Sequence, residues 1–271
     1  MTPLIDADVL VHELGWSAEF KDKETKEPVL FPFEKVMELL DAKIKLICEE
    51  VDATKPPILF LSSTDFLAKK LGYAHVPNFR YAVAKSKPYK GTRKNPKPFH
   101  FYNITVYLLA NYEVIVSRGG LEADDMMCIY QTEHKEPTVI CSRDKDLRIC
   151  PGWHYSWECG KQYSVGPTHT DELGFLEKGN NGKTLGYGLK MFFYQMLVGD
   201  NADNIPGLPQ VGDAKAYPII KEAKTEQECY DLVKDMYINK MGEGAKAYFK
   251  EQSSLLWMQQ HNKKEYKRSK V

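Results

Sequence analysis

Short apolar runs alternate with helix-like segments along the first 150 residues, and acidic side chains recur near the ends of those runs. Strand-like runs lie at Leu4–Val11, Ile58–Ser63, Glu113–Ser117 and Pro137–Ser142, whereas Phe33–Val51 has apolar residues at helical spacing. Strands that alternate with helices form a mainly parallel sheet with helices on both faces. We therefore predict an α/β fold with a mainly parallel central sheet flanked by helices, followed by a helical region from Leu189 onward.

Four groups of acidic residues fall at predicted strand ends or helix starts. In open α/β sheets, ligands bind outside the carboxyl ends of the strands, so these acids should converge on one edge. Residues spaced i, i+2 on a strand, or i, i+3 on a helix, share a face. The four groups are Asp6 and Asp8; Glu122, Asp124 and Asp125; Asp144 and Asp146; and Asp200 and Asp203.

Carboxylates crowded together repel one another and resist ionisation unless cations neutralise them. Hard divalent cations with oxygen ligands, Mg²⁺ or Mn²⁺, suit such a site. Two ions about 4 Å apart are able to promote phosphodiester hydrolysis without a nucleophilic side chain. Taken singly, each acid could instead cap a helix or favour a helix dipole, so the recurrence carries the prediction.

A basic segment, Lys85–Lys97, contains six basic residues and no acids, and it is interrupted by prolines and a glycine. It is too polar for a core element. With Tyr89 inside it and aromatic residues after it, the segment combines phosphate neutralisation with stacking surfaces, although a solvated loop is the alternative. Lys plus Arg and Asp plus Glu both total 37, so the chain has no net charge, whereas nucleic-acid binders are usually basic. Binding of nucleic acid would therefore depend on a local concentration of basic residues such as this segment.

The N-terminus carries acids where a signal peptide would be basic and then apolar, and no apolar run approaches the roughly 18 residues of a transmembrane helix. We therefore expect a cytoplasmic protein. No polymerase motif is present in the 271 residues, which favours a free-standing enzyme, in the host cytoplasm if it is of phage origin. A monomer is expected.

Five motifs, LIDADVL, YKGTR, GLEADDM, ICSRDKDL and GDNADNIPGLPQVGDAKA, follow one another between residue 4 and about residue 220. In this order they resemble the 5′→3′ exonuclease and flap endonuclease family, especially bacteriophage 5′ exonucleases and the nuclease domain of bacterial DNA polymerase I. The resemblance implies a PIN-like nuclease domain at 1–188, with a clamp or arch segment near 80–105, and a helix-hairpin-helix DNA-binding region at 189–271.

The same resemblance implies a structure-selective enzyme that cuts DNA at a 5′ end or flap with two Mg²⁺ or Mn²⁺ ions, in phage-type replication or recombination. RNA in RNA–DNA hybrids is a further expected substrate, and K⁺ often sits in the family's hairpin. A PIN-type ribonuclease and a catalytically silent DNA-binding clamp remain alternatives. The GLPQVG hairpin disfavours the ribonuclease, and the intact acids disfavour the clamp.

Motif matching also implies individual roles. Lys90 and Arg93 match family residues that contact the scissile phosphate. The family places an Asp directly after the second strand, where this chain offers only Asp65, offset by a few residues. The acids matching the tighter metal cluster are Asp6, Glu122, Asp124 and Asp144. Their neighbours, which include the second cluster, are matched by Asp125, Asp146, Asp200 and Asp203, and Asp8 is a further candidate ligand at a position where the family varies. The predicted nucleic-acid contacts are Arg80, Lys85, Lys87, Tyr89, Lys90, Arg93, Lys94, Gly207, Gly212 and Lys215.

Overall fold

A six-stranded sheet forms the centre of the computed structural model, which describes residues 1–93, 96–179, 182–261 and 263–266. Five strands are parallel, and the sixth is antiparallel at one edge, so the predicted mainly parallel sheet is confirmed. From one edge to the other the strands are β5 (Glu113–Val116), β4 (Ile58–Leu61), β1 (Thr2–Asp6), β6 (Thr138–Cys141), β7 (Gly152–Ser156) and β8 (Val165–Thr170).

Ten α-helices surround the sheet or follow it in the part of the chain that the structure describes. They are α1 (Ala7–Ser17), α2 (Phe33–Glu50), α3 (Asp65–Leu71), α4 (Phe79–Val83), α5 (Phe101–Asn111), α6 (Ala123–Glu133), α7 (Gly188–Val198), α8 (Asp213–Glu222), α9 (Glu226–Met241) and α10 (Ala245–Leu256). Two small antiparallel hairpins complete the fold, β2 (Glu19–Lys21) with β3 (Pro28–Leu30), and β9 (Leu176–Lys178) with β10 (Thr184–Gly186).

Alternating side chains of the parallel strands supply two cores. Ile5 packs with α1, α2 and α5, whereas Leu4 packs with α6 through Met127. Each fully buried aliphatic side chain of this kind contributes about 1.5–3 kcal/mol. A third core, formed mainly by α7 to α10, also contains Tyr89. The domain boundary expected at residue 188 coincides with the start of α7 and stays a prediction.

The first strand is shorter than expected, and the interpretation of Leu4–Val11 as one strand is wrong. It ends at Asp6, whose Oδ1 accepts a hydrogen bond from the Val9 backbone N–H at 3.1 Å and caps α1. Asp8 therefore lies in the first turn of a helix, where a negative charge is favoured by the helix dipole. Asp6 and Asp8 do not share a strand face, but both remain at the carboxyl edge of the sheet.

Within the described ranges, no helix is both long and apolar enough to cross a lipid bilayer.

Candidate active site

Four carboxylates converge at the carboxyl edge of the sheet, and we call them the acidic cluster: Asp6, Asp8, Asp124 and Asp144. Asp6 ends β1, Asp8 and Asp124 lie in the first turns of α1 and α6, and Asp144 follows β6. Their charges interact directly, since Asp6 is repelled by Asp8 and Asp144, and Asp124 by Asp6 and Asp144. The structure thus brings together acids separated by up to 138 residues of sequence.

Two serines hold the cluster in place, and neither was predicted from the sequence. The Ser142 hydroxyl donates to Asp6 Oδ2 at 2.6 Å and accepts from the Asp144 backbone N–H at 2.9 Å. The Ser62 backbone N–H donates to both oxygens of Asp8 at 3.1 Å, while its hydroxyl accepts from the N–H of Ala123 at 2.9 Å. Their signal in the sequence was a small hydroxyl residue directly after a buried strand.

Burial and mutual repulsion disfavour the ionised form of the carboxyl groups in the acidic cluster. Burial, with repulsion from Asp8, raises the pKa of Asp6 to about 7. Burial also raises the pKa of Asp124, with repulsion from Asp6 and Asp144, and burial raises the pKa of Asp144. Binding of cations at these oxygens would relieve this repulsion.

A second acidic group is held by a lysine. Lys145 Nζ lies 2.7 Å from Asp146 Oδ1 and 2.8 Å from Asp200 Oδ2. Burial opposes the charge of Asp200, but hydrogen bonds from Asp146 and Lys145 outweigh it and lower the pKa of Asp200 to about 2. For Asp146, burial and repulsion from Asp144 raise the pKa well above its usual range.

Residues 88–93 belong to the basic segment Lys85–Lys97, and their side chains contact acidic residues at the sheet edge. The Tyr89 hydroxyl lies 2.8 Å from Glu122 Oε2 and 2.9 Å from Asp203 Oδ2, so its single proton serves two carboxylates. Lys90 pairs with Glu122, and Arg93 pairs with Asp203. The Lys90 backbone N–H also donates to the Asp203 carbonyl at 2.9 Å. The expectation that Tyr89 stacks on a base is wrong, because its side chain is only 4% exposed.

Arg80 and Asp125 form a buried ion pair, an arrangement that differs from the exposed phosphate contact and the metal ligand expected at these positions. The Arg80 guanidinium forms a bidentate pair with Asp125 at 2.8 Å, and both side chains are buried, with exposures of 1% and 0%. Arg80 also donates to the carbonyls of Leu255 and Trp257 at 3.0 and 2.7 Å. The Arg80 guanidinium also lies 3.6 Å from Glu122 Oε2, so it borders the acidic edge from the interior, where both side chains are already paired and out of contact with solvent.

Two further expectations change with the structure. Asp65 is exposed in the first turn of α3, and no hydrogen bond or ion pair joins it to the acidic cluster in the described ranges. Gly207 is buried, its N–H donates to Gln252 Oε1 at 2.9 Å, and its carbonyl accepts from Tyr248 at 2.7 Å. That N–H is therefore not free to bind a phosphate.

The remaining predicted contacts lie at the surface. Gly212 and Lys215 are exposed at the start of α8, and Lys85 and Lys87 are exposed before the segment 88–93. Lys94 lies outside the described residues.

No three Asp, Glu, His or Cys side chains of the described residues form a ready-made metal site. Lys90 and Lys145 neutralise the carboxylates nearest to them. The donor set still fits hard divalent cations, because it consists of carboxylate oxygens whose charge is poorly compensated. Coordination would require these lysines to exchange their carboxylate partners.

The raised pKa of Asp6 predicts how metal-free stability depends on pH. The folded chain retains a proton on Asp6 between about pH 4 and 7, where the unfolded chain has lost it, so stability falls as pH rises through this window. In EDTA, we expect the free energy of unfolding to drop by about 1–3 kcal/mol across it. Urea denaturation of the wild type and Asp6→Asn at pH 5 and pH 8 measures this drop. Equal pH dependence in the two proteins would contradict the expectation.

The chain is similar to several known proteins. No protein-family model matches the chain. DNA polymerase I of Borreliella burgdorferi is 30% identical over 166 residues, which cover 58% of this chain but only 17% of the polymerase. A bacteriophage T5 flap endonuclease, in complex with DNA and metal ions, is similar in structure with a TM-score of 0.49 and 15% identity. That match covers 94% of this chain and 98% of the phage protein.

The catalytic core of Rad2 in complex with DNA substrate is also similar in structure, with a TM-score of 0.47 and 13% identity. It covers 90% of this chain and 68% of that chain. A protein described as a flap endonuclease is therefore among the solved structures that are similar to this chain.

Proposed function

We propose that this chain is a metal-dependent, structure-selective 5′ nuclease that hydrolyses phosphodiester bonds of DNA from a 5′ end or at a flap. One observation carries the proposal: Asp6, Asp8, Asp124 and Asp144 meet at one sheet edge beside the cations of segment 88–93. RNA in RNA–DNA hybrids is an additional proposed substrate, and phage-type replication or recombination is the proposed setting.

The acids divide into two proposed metal positions. The acidic cluster and Glu122 would hold one Mg²⁺ or Mn²⁺, and Asp146, Asp200 and Asp203 would hold the second. When bound, such cations supply the Lewis acidity and charge compensation that phosphodiester hydrolysis needs. Ser62 and Ser142 keep Asp8 and Asp6 oriented toward the shared edge through their hydrogen bonds.

Lys90 and Arg93 would bind the phosphate that is cleaved. Burial opposes the charge of Lys90, but Glu122 and Asp203 outweigh it and raise its pKa, so Lys90 stays cationic at neutral pH. A phosphate that replaces Glu122 as its partner would keep this charge compensated. The cation would then stabilise negative charge that develops on the phosphate oxygens in the transition state.

Replacing Lys90 by Ala is expected to lower kcat by about 10²–10³-fold with a smaller change in KM, because the cation acts mainly on the transition state. Single-turnover cleavage of a labelled duplex measures this effect. Lys85→Ala is the matched control, because Lys85 is exposed in the same basic segment, Lys85–Lys97. Its replacement should cause only a small loss of affinity. Equal kinetic effects of the two substitutions would contradict a specific role for Lys90.

The turn between α7 and α8 is proposed to hold the duplex. Gly199 and Gly207 approach so closely there that a Cβ on Gly207 would lie 2.2 Å from the Gly199 nitrogen. This packing presents Gly212 and Lys215 at the exposed start of α8, where backbone N–H groups and a cation favour a phosphate without reading sequence. We also propose that this hairpin binds a K⁺ ion.

The activity is tested with a 5′-labelled flap, a blunt duplex, an RNA–DNA hybrid and a single-stranded RNA, each in Mg²⁺ and in EDTA. The proposal expects Mg²⁺-dependent cleavage of DNA with a 5′ end. Cleavage of single-stranded RNA alone would instead indicate a PIN-type ribonuclease. Chelator-insensitive binding without any cleavage would indicate a silent clamp.

A further inference from the structure

A second polar cluster lies at the same sheet edge and contains Ser63, the residue that follows Ser62. We call it the serine–histidine cluster: Ser63, Tyr73, His75 and Arg118. The Ser63 hydroxyl is 3.0 Å from the Tyr73 hydroxyl and 3.1 Å from His75 Nδ1. The Arg118 guanidinium lies over the Tyr73 ring at 4.6 Å. Ser63, Tyr73 and His75 are partly exposed, and Arg118 is exposed.

The backbone holds this cluster firmly. The Ser63 N–H donates to the Ser117 hydroxyl at 2.9 Å, which ties the end of β4 to the end of β5. The segment after α3 is anchored to the turn after β5, because the Phe79 N–H donates to the Gly120 carbonyl at 3.1 Å. A Cβ on Gly120 would meet the Pro77 carbonyl at 2.9 Å, so this close approach requires glycine.

Several hydrogen-bond donors of the serine–histidine cluster have no acceptor among the described residues. In the described ranges, the Arg118 guanidinium makes no hydrogen bond or ion pair, and it packs over the Tyr73 ring. His75 uses only one ring nitrogen. Asp65, two residues beyond Ser63, has no hydrogen bond or ion pair with these side chains. Arginine with free N–H groups, a histidine and hydroxyls are the donor set that binds a phosphate group.

An open groove of about 470 Å³ continues from Arg118 and is also lined by Phe79, His261 and Lys264. His261 faces Glu133 at 3.8 Å, so Arg118 and Lys264 supply the positive charge that is not compensated in the described chain. The groove and the serine–histidine cluster meet at Arg118, so the two exposed cations, Arg118 and Lys264, lie along one continuous surface.

The position relative to the acidic cluster suggests the ligand. Ser62 binds Asp8 through its N–H, whereas Ser63, the next residue, contacts Tyr73 and His75, so the two clusters adjoin each other at the end of β4. We propose that the serine–histidine cluster binds a phosphate group of the substrate strand adjacent to the one that is cleaved. This inference rests on the proposed function.

Such a phosphate has two sources, a terminal 5′-phosphate or an internal diester. Binding of a duplex with a 5′-phosphate, and of the same duplex with a 5′-hydroxyl, is measured by fluorescence anisotropy with the full chain in EDTA. Arg118→Gln and His75→Gln are compared with Lys70→Gln, which removes an exposed charge from the neighbouring α3. Thermal unfolding of each variant verifies that it is folded.

For a terminal phosphate, the wild type should bind the phosphorylated duplex about tenfold more tightly, and Arg118→Gln should abolish that difference. For an internal diester, Arg118→Gln should weaken both duplexes by about tenfold. Affinities equal to those of Lys70→Gln on both duplexes would overturn the proposal. In that case the Mg²⁺-dependent cleavage assay would still test the nuclease function separately.

Discussion

Asp124→Asn is expected to lower kcat for DNA cleavage by about 10³-fold while leaving duplex affinity in EDTA nearly unchanged. The physical reason is that the charge of Asp124 interacts with those of three other acids at this edge, Asp6, Asp144 and Glu122. An amide keeps the shape of the side chain but removes the charge needed to hold a divalent cation.

The same substitution should raise the metal-free stability. Removal of one buried charge relieves repulsion, so the free energy of unfolding in EDTA should increase by about 0.5–2 kcal/mol. An inactive variant that is more stable than the wild type cannot owe its inactivity to misfolding. The measurements are single-turnover cleavage, anisotropy and urea denaturation.

Asp65→Asn is the matched control for this prediction. It is the same chemical change at an exposed carboxylate that does not contact the acidic cluster. We expect cleavage and stability close to those of the wild type. A wild-type cleavage rate for Asp124→Asn would refute the proposed active site.

Arg80→Ala is expected to lower the free energy of unfolding by about 3–5 kcal/mol, because it leaves Asp125 charged and buried without its partner. The substitution also removes the hydrogen bonds to the Leu255 and Trp257 carbonyls that hold the end of α10. Equilibrium urea denaturation measures the loss.

Two further variants separate a structural from a functional role. Arg93→Ala removes an arginine whose side chain is 56% exposed and paired with Asp203. It should change stability by less than about 1 kcal/mol but impair cleavage. The double variant Arg80→Met with Asp125→Leu should be more stable than Arg80→Ala, since no unpaired charge remains. If Arg80→Ala instead left stability unchanged and reduced only DNA affinity, the original expectation of a phosphate contact would be restored.

The Arg80–Asp125 pair also connects the third core to the acidic edge. Asp125 accepts a hydrogen bond from the Glu122 backbone N–H at 3.2 Å and from that of Gln259 at 3.1 Å. The C-terminal segment therefore helps to fix the start of α6, from which Glu122 and Asp124 project. Loss of this pair should disturb the acidic edge indirectly, through the helix that carries it.

Local pattern was sufficient to predict most of the secondary structure at the centre of the fold. The apolar spacing of 33–51 predicted α2, and the apolar run 113–117 predicted β5, because these signals depend on neighbours along the chain. The convergence of the acids was predictable for a related reason, since parallel strands place their carboxyl ends at one edge. The end of β1 was missed because the capping role of Asp6 ends the strand within an apolar run.

Only the tertiary structure decided which polar groups have partners. Asp124 and Asp125 are adjacent in the chain, yet one lies at the acidic edge and the other binds Arg80 in the interior. Successive helical residues point in directions about 100° apart, and the sequence does not state what packs on each side. Tyr89 and Gly207 were misassigned for the same reason. Their partners, Glu122 and Gln252, lie more than 30 residues away in the chain and meet them only after folding.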